Sequence, residues 1–313
     1  MKPKVLILTT LYDFAADLVC LRLENLDVPF LRINKENISD FEICLDPCEP
    51  SFNLVYRKKN VACSSELKSV WFRQPVFLRN TPSKGLSPAE QLCRSQWSAF
   101  LRALSVFDHI AWMNWPQATY LAESKPYQLL SAHRCGLSIP KTIVTNHAEA
   151  IKKNFATKII VKSLDTVLLR DDDDCLFTYS NVCELEEISE ENAKAIPFIA
   201  QNFIEPKTDC RVTIIGDHIH ATRILKNGNR IVGDWRLTPK SELQYEDFEL
   251  PESIKTSCLQ LLRDLGLAFG AIDFVQTEDD FVFLEINPTG EWEWINSKER
   301  AFDEKIAEWL AHG

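Results

Sequence analysis

Near its C-terminal end the chain reads GAIDFV and then, across a short acidic stretch, FVFLEINPTG, and no other part of it limits the fold so tightly. Both runs are rich in Phe, Val, Leu and Ile, which suit a pleated, half-buried surface. They predict strands over Ala271–Thr277 and Phe281–Asn287, joined as a hairpin. Side chains alternate faces along a strand, so Glu285 and Asn287 point the same way. With Glu278-Asp279-Asp280 as the loop, Thr277 faces Phe281 and Asp273 falls opposite Glu285. Carboxylates gathered on one patch repel one another and resist burial unless a cation or strong donors offset them. Mg2+ takes hard oxygen ligands and shares its coordination sphere with substrate phosphates. Asp273, Glu285 and Asn287 are therefore expected to hold Mg·ATP; a polar edge on an ordinary hairpin is the alternative.

Upstream lie the cations such a site needs: Lys125, Lys162, Arg211, Arg223 and Arg236. Lysine acts on phosphate as a point charge, and arginine recognises phosphate or carboxylate with a planar fork. Each taken singly reads better as a surface cation, and it is their joint occurrence ahead of the carboxylate pair that points to a site. Arg211 and Thr213 alternate with Val212 and Ile214, so the two polar side chains share a sheet face.

The remaining pattern is α/β. Lys4–Thr9 predicts a buried strand, Phe14, Leu18 and Leu21 the apolar face of a helix, and Val28–Ile33 a second strand. Phe41–Leu45 and Leu54–Arg57 are shorter strand candidates, and Ser69–Arg73 is a strand closed by Pro75. A helix from Pro88 carries the stripe Cys93, Trp97, Phe100, Leu101, Leu104, and Trp112–Pro116 reads as a loop. Ser124 as cap and Pro126 in the first turn open a helix that Gly136 ends. Strands follow over Pro140–Val144 and Lys158–Lys162, then a solvated acidic turn at Asp171–Asp174. Ile199–Ile204, Cys210–Ile215 and His220–Leu225 are strands, and Ser253–Leu265 is a helix stopped by Gly266.

Composition narrows the function. A formal charge of −10, from 45 acidic and 35 basic residues, argues against broad nucleic-acid binding, which needs a basic face. No apolar run approaches the ~20 residues that span a bilayer. MKPKVLILTT is followed by no small-residue cleavage site, so a cytoplasmic protein without membrane partners is expected. The ten cysteines lack paired spacing and read as reduced, mostly buried thiols. Cys44 with Cys48, and His218 with His220, lack the further ligands of a zinc site.

With these residues assembled, the chain resembles the ATP-grasp superfamily, and within it the maturases of graspetides, the microviridin-type side-chain cross-linked peptides. The resemblance is carried by VWFRQP at 70–75, ESKPYQLLSAHRCGLSIPKTIVT from Glu123 to Thr145, IIVKSL, AQNFIEPKTDCRVTIIGDHIHATRI, GDWR at 233–236, GAIDF and FLEINPTGEWEWI. It implies an ATP-grasp fold with an N-terminal pre-ATP-grasp α/β lobe (1–118), a central lobe (119–198) and a C-terminal lobe (199–313). It implies ATP and Mg2+ as cofactors. Lys125 and Lys162 match nucleotide-binding lysines, Gln201, Asn202, Phe203 and Ile204 match the adenine hinge, and Glu205 or Lys207 lies nearest the ribose. Arg211, Arg223 and Arg236 match arginines near the phosphates and the activated carboxylate, and Asp273, Glu285 and Asn287 match metal ligands.

The implied partner is a ribosomal precursor peptide with a leader and an acidic core, its Asp or Glu side chains joined to Thr, Ser or Lys; a homodimer is left open. Two departures stand out. SLDTVLLRDDDD after Lys162 lacks the glycines of many ATP-grasp flaps, and Gln201-Asn202 occupies a hinge where an acidic second residue is common. Another carboxylate–amine ligase and a non-catalytic nucleotide-binding protein remain as alternatives. No general base stands out: the histidines lie outside the matched motifs, Asp234 is near only in sequence, and Arg73 reads equally as a peptide contact or a strand-end arginine.

Overall fold

The computed structural model describes residues 2–56, 59–73, 85–165, 168–171, 174–177 and 180–313. Arg57, Pro75 and the central pair of the acidic run, Asp172 and Asp173, lie outside the described residues, and so do the expectations placed on them.

The first part runs β1 (Val5–Thr9), α1 (Phe14–Asn25), β2 (Phe30–Asn34), β3 (Glu42–Asp46), β4 (Ser51–Tyr56), β5 (Lys59–Cys63), β6 (Ser69–Phe72), α2 (Pro88–Ala103) and β7 (Ala111–Met113). Among the described residues β2-β1-β6-β7 form a parallel sheet, and β3-β4-β5 an antiparallel meander beside it. Parallel sheets are covered on both faces and so read as continuous apolar runs. Accordingly Val5 and Ile7 pack with α1, while Leu6 and Leu8 pack toward the meander and Leu101 of α2.

Three expectations are corrected here. α1 buries Ala15, Ala16, Val19 and Leu23, while Phe14 and Leu21 face outward. This helix is wedged between the sheet and the C-terminal helix, where small side chains permit close approach. Trp112 and Met113 are not loop residues: they pair with Val70 and Trp71 as the sheet's fourth strand. The nine described cysteines are free thiols, but only Cys63, Cys210 and Cys258 are buried, while Cys44, Cys48 and Cys93 are exposed.

The middle part comprises α3 (Pro116–Ala122), α4 (Lys125–Arg134), β8 (Thr142–Thr145), α5 (Ala148–Asn154), β9 (Ile159–Lys162), β10 (Leu168–Asp171), β11 (Asp174–Phe177), β12 (Asn181–Cys183), α6 (Glu190–Lys194) and β13 (Phe198–Asn202). An antiparallel sheet in the order β12-β9-β13-β8 has its own small core of Ile151, Phe155, Ile159 and Ala200. β10 and β11 pair as a separate hairpin directly after Lys162. Ser124 sits at the N-cap of α4, yet its side chain makes no capping bond. α4 buries Leu129 and Ala132 in the core of the C-terminal sheet rather than in that of the middle sheet.

The last part comprises β14 (Thr208–Ile215), β15 (His218–Lys226), β16 (Leu243–Phe248), α7 (Glu252–Leu265), β17 (Phe269–Gln276), β18 (Phe281–Asn287) and α8 (Phe302–His312). These strands form one antiparallel sheet in the order β16-β15-β14-β17-β18, with α4 and α7 on its apolar face. α7 stops at Gly266, whose φ of 68° is a left-handed cap that glycine adopts without strain. A further core joins Val5, Ile7 and α1 of the first part to Phe269, Ala271, Trp292 and α8 of the last.

Candidate active site

The β17–β18 hairpin has the pairing that matters and an irregularity the pattern concealed. Asp273 stands opposite Glu285, and Ala271 opposite Asn287. Toward the turn, however, Gln276 rather than Thr277 pairs with Phe281, and Phe274 pairs with Phe283. Leu284 is thus an extra residue on β18, a bulge. The apolar core explains it. Strict alternation would put Phe281 and Phe283 on the Glu285 face, whereas both are buried with Ile272, Phe274 and Ile286 on the other. Burying each Phe stabilises by about 1.5–3 kcal/mol, which outweighs one disrupted ladder position.

β18 is the edge strand of its sheet, and two side chains hold it. Gln128 of α4 donates to Ile286 O (2.8 Å) and accepts from Ile286 N (3.0 Å), continuing the ladder between Glu285 and Asn287. Buried Asn114 donates to Phe269 O (3.0 Å) and Pro288 O (2.8 Å), and accepts from Phe269 N (2.9 Å). Gly290 follows, where a Cβ would stand 2.6 Å from the Cβ of Ala271; only glycine allows that approach.

Two arginines meet the carboxylates. Arg211, cross-strand from Asp273, brings Nη1 to 3.0 Å from Asp273 Oδ1. Arg236 places Nη2 at 3.0 Å from Asp273 Oδ2 and 3.2 Å from Glu285 Oε1. Its turn is shaped by Asp234, which accepts from Arg236 N (3.0 Å) and lies 3.4 Å from Arg236 Nη1. Asp234 thus shapes the turn that presents Arg236. Burial pushes the Glu285 carboxyl up, but Lys162, Arg236, Lys125 and Arg211 more than offset it and hold Glu285 below its ordinary range. Burial raises Asp273, against the pull of Arg211 and Arg236, and the adjacent Glu285 raises it further. Burial likewise lowers Lys162, with Glu285 opposing.

These groups line one continuous cleft. An apolar recess is walled by Ile160, Val182, Phe203, Ile204 and Leu284, with Lys162, Asp273 and Glu285 also lining it. A wider space continues past Lys125, Arg211, Arg236, Asn287 and Glu291. Lys162, Arg236 and Glu285 belong to both. Gln201 is buried and donates to Thr142 Oγ1 (3.0 Å), and Asn202 N donates to Lys141 O (3.1 Å), which fixes the strand leading into Phe203 and Ile204. Lys125 Nζ reaches Leu164 O at 3.4 Å, across from α4 to the segment after β9.

The two ribose-side candidates separate. Lys207 lines the recess and is tied to Asp209 (2.5 Å) and Gly233 O (2.8 Å), while Glu205 is exposed and accepts from Gly233 N at 3.5 Å. Arg223 is a correction. It pairs across from Cys210, on the sheet face opposite Arg211. Its guanidinium lies 4.2 Å from the Phe248 ring centre and its Nε donates to Gln276 Oε1 (3.0 Å). It is not brought to the carboxylates. Sequence reasoning missed the aromatic wall: Arg211 lies over Trp294 (5.5 Å), Arg236 over Trp235 (5.1 Å), and the two indoles are 5.2 Å apart. DWR and WEW carried that signal, since tryptophans flanking arginines invite cation–π contact.

The donor set suits a hard cation. Asp273, Glu285 and Asn287 all line the cleft, and the two carboxylates supply hard oxygens there.

No protein-family profile matches the chain. The tetrahydromethanopterin:alpha-L-glutamate ligase of Methanocaldococcus jannaschii is 26% identical over 113 residues, 35% of this chain and 38% of that ligase, well under two thirds of its length. Macrocyclase MdnC of Microcystis aeruginosa MRC, solved with precursor peptide MdnA, superposes with a TM-score of 0.82 at 24% identity, covering 100% of both chains. A RiPP-associated ATP-grasp ligase of Chryseobacterium gregarium, solved with ADP and leader and core peptides, gives 0.79 at 22% identity over 98% of this chain and 96% of that one. The ATP-grasp ligase PsnB, with minimal precursor, Mg and ADP, gives 0.71 at 18% identity over 98% and 96%. The chain has the ATP-grasp fold along its whole length.

Proposed function

We propose that this chain is an ATP-dependent ligase that activates Asp or Glu side chains of a ribosomal precursor peptide as acyl-phosphates and joins them to Thr or Ser hydroxyls or Lys amines. One observation carries the reading: the opposed Asp273–Glu285 pair meets Lys125, Lys162, Arg211 and Arg236 where the apolar recess opens into the wider cleft. A flat apolar recess ending in cations and carboxylates suits a base, its phosphates and a cation in sequence. The likeness to ligases solved with precursor peptides supports the choice of substrate.

In this reading the adenine lies against Phe203, Ile204 and Leu284, with Lys207 on the ribose side. Lys125 and Lys162 meet the phosphates. Asp273, Glu285 and Asn287 would hold Mg2+, which when bound neutralises charge on the transferring phosphoryl group. Arg211 and Arg236 orient the peptide carboxylate and stabilise charge spread over the transferred group; such catalysis is positioning and electrostatics. The acceptor then attacks the acyl carbon and phosphate leaves. Three lobes, 1–118, 119–198 and 199–313, would share this work in the cytoplasm, where ATP and newly made peptide meet.

The relative in Methanocaldococcus favours a second reading, addition of an amino acid to an acceptor. Mass spectrometry separates the two, because loss of water within one peptide means cyclisation and gain of a residue means addition. ADP release with Mg2+ and a Thr-, Asp- and Glu-rich peptide tests both. We expect Glu285→Gln to abolish it while the protein melts as a folded chain; full activity in that variant would overturn the site.

A further inference from the structure

The second half of such a reaction needs a base, because an acceptor hydroxyl must lose a proton as it attacks and an ammonium group must lose one before it can attack. Most acids of the cleft already have work. Asp273 and Glu285 face Arg211 and Arg236, and Asp234 shapes the turn of Arg236. No histidine is among the residues that line the cleft. Glu291 differs. It stands on the wall of the wider space together with Lys125, Arg211, Arg236 and Asn287, and its side chain is 46% exposed. It is therefore open to the cleft and to water.

Its position is built. Arg73, 1% exposed at the end of β6, holds Glu291 Oε2 at 2.6 Å through Nη2. Nη1 of the same guanidinium donates to the carbonyls of Thr289 and Gly290, the latter at 3.1 Å, and Nε lies 3.5 Å from Asp13 Oδ2. A buried cation from the first part of the chain thus fixes both the loop and the carboxylate it presents. Beside it, Glu293 buries its own Oε2 and its negative charge pushes the Glu291 carboxyl up. A second carboxyl so near makes full negative charge on Glu291 less favourable than a simple ion pair with Arg73 would.

We propose, on the ligase reading above, that Glu291 is the base for the acceptor in the bond-forming step. As the acceptor oxygen or nitrogen bonds to the acyl carbon, its proton passes to the Glu291 carboxylate. The bond from the acyl carbon to the bridging phosphate oxygen breaks, and phosphate leaves with that electron pair. Glu291 then returns the proton to water. Burial pushes Glu291 up to about 7, with Arg73 opposing and Glu293 and Asp13 adding, which suits exchange near neutral pH. The charged groups around it are Arg73 and Asp13 from the first part, Glu293 on its own loop, and Lys125, Lys162, Lys240, Arg211, Arg236, Asp234 and Glu285 around the cleft.

The test separates the half-reactions. The full chain is given Mg·ATP and a synthetic Thr-, Asp- and Glu-rich peptide, with hydroxylamine added to trap acyl-phosphate as hydroxamate. Glu291→Gln is expected to lose cross-linked product by about 10²–10⁴-fold, the range of general-base catalysis, while peptide hydroxamate still forms. Glu291→Asp is expected to recover part of the rate. Glu293→Gln is expected to move the acid limb of the product rate, near pH 7 in the wild type, to lower pH. Cross-linking by Glu291→Gln at the wild-type rate, or an acid limb unmoved in Glu293→Gln, overturns the role of Glu291 and leaves the ligase reading standing. A wild type that yields neither ADP nor hydroxamate overturns both.

Discussion

Lys162 shows at the scale of one residue how environment decides a role. It ends β9 at the junction of the recess and the wider cleft, where burial penalises its charge and Glu285 supports it. An anionic phosphate there would repay the burial. Lys162→Ala is expected to weaken ATP binding by roughly 10–100-fold, the equivalent of one charge-assisted contact, and titration calorimetry would reveal it. An unchanged affinity would remove this lysine from the nucleotide site. Asp273 was expected opposite Glu285 from a register with Thr277 facing Phe281; that register is one residue off at the turn, and the bulge at Leu284 restores the pairing. Arg223 was misplaced for a related reason. Its face depends on how β15 registers against β14, across a two-residue turn whose geometry the residue pattern does not state.

Among elements, β18 is the one on which the site depends. Its inner edge is paired to β17, and its outer edge meets the Gln128 amide and, at Phe283, the carbonyl of Ser138 (2.8 Å). Gln128→Leu would strand the N–H and C=O of Ile286 in a dry environment. We expect it to cost about 1–3 kcal/mol per stranded group, seen as a lower urea midpoint, and to reduce ADP release as Glu285 and Asn287 lose their shared support. A variant with the wild-type midpoint would show that the amide is dispensable. Neither this bond nor the bulge at Leu284 could be read beforehand, because each follows from which apolar side chains reach the core. The same holds for β7, where Trp112 and Met113 look like loop residues until β6 lies beside them. Long periodic elements such as α7 were legible because many apolar positions agree on one face.

Across the whole molecule the two ends of the chain share one core, and α1 lies against α8. Arg22 Nε meets Asp303 Oδ2 at 2.6 Å, and Asn296 donates to Asp303 Oδ1 at 2.8 Å. Burial raises Asp303, but the bonds from Asn296 and Arg22 outweigh it and hold the carboxyl below its ordinary 3.8. A carboxylate lowered by folding stabilises the fold above its unfolded value, and that contribution disappears as pH falls through the folded value. The stability gap between wild type and Asp303→Asn is therefore expected to be constant above about pH 4 and to close in stronger acid. Asp209, which burial pushes up to about 6 against the pull of Lys207, acts in the opposite sense. The comparison must be made between the two proteins at each pH, and a gap that widened in acid would contradict the assignment.

At rest, the guanidinium of Arg236 bridges Asp273 and Glu285 and matches their charge from within the chain. A bare divalent ion arriving alone must compete with a counter-ion already tethered in place. A nucleotide brings its own anionic groups, to which that tethered cation can transfer. On the ligase reading, loading would be coupled: the polypeptide itself would discourage stray metal from settling until the triphosphate accompanied it.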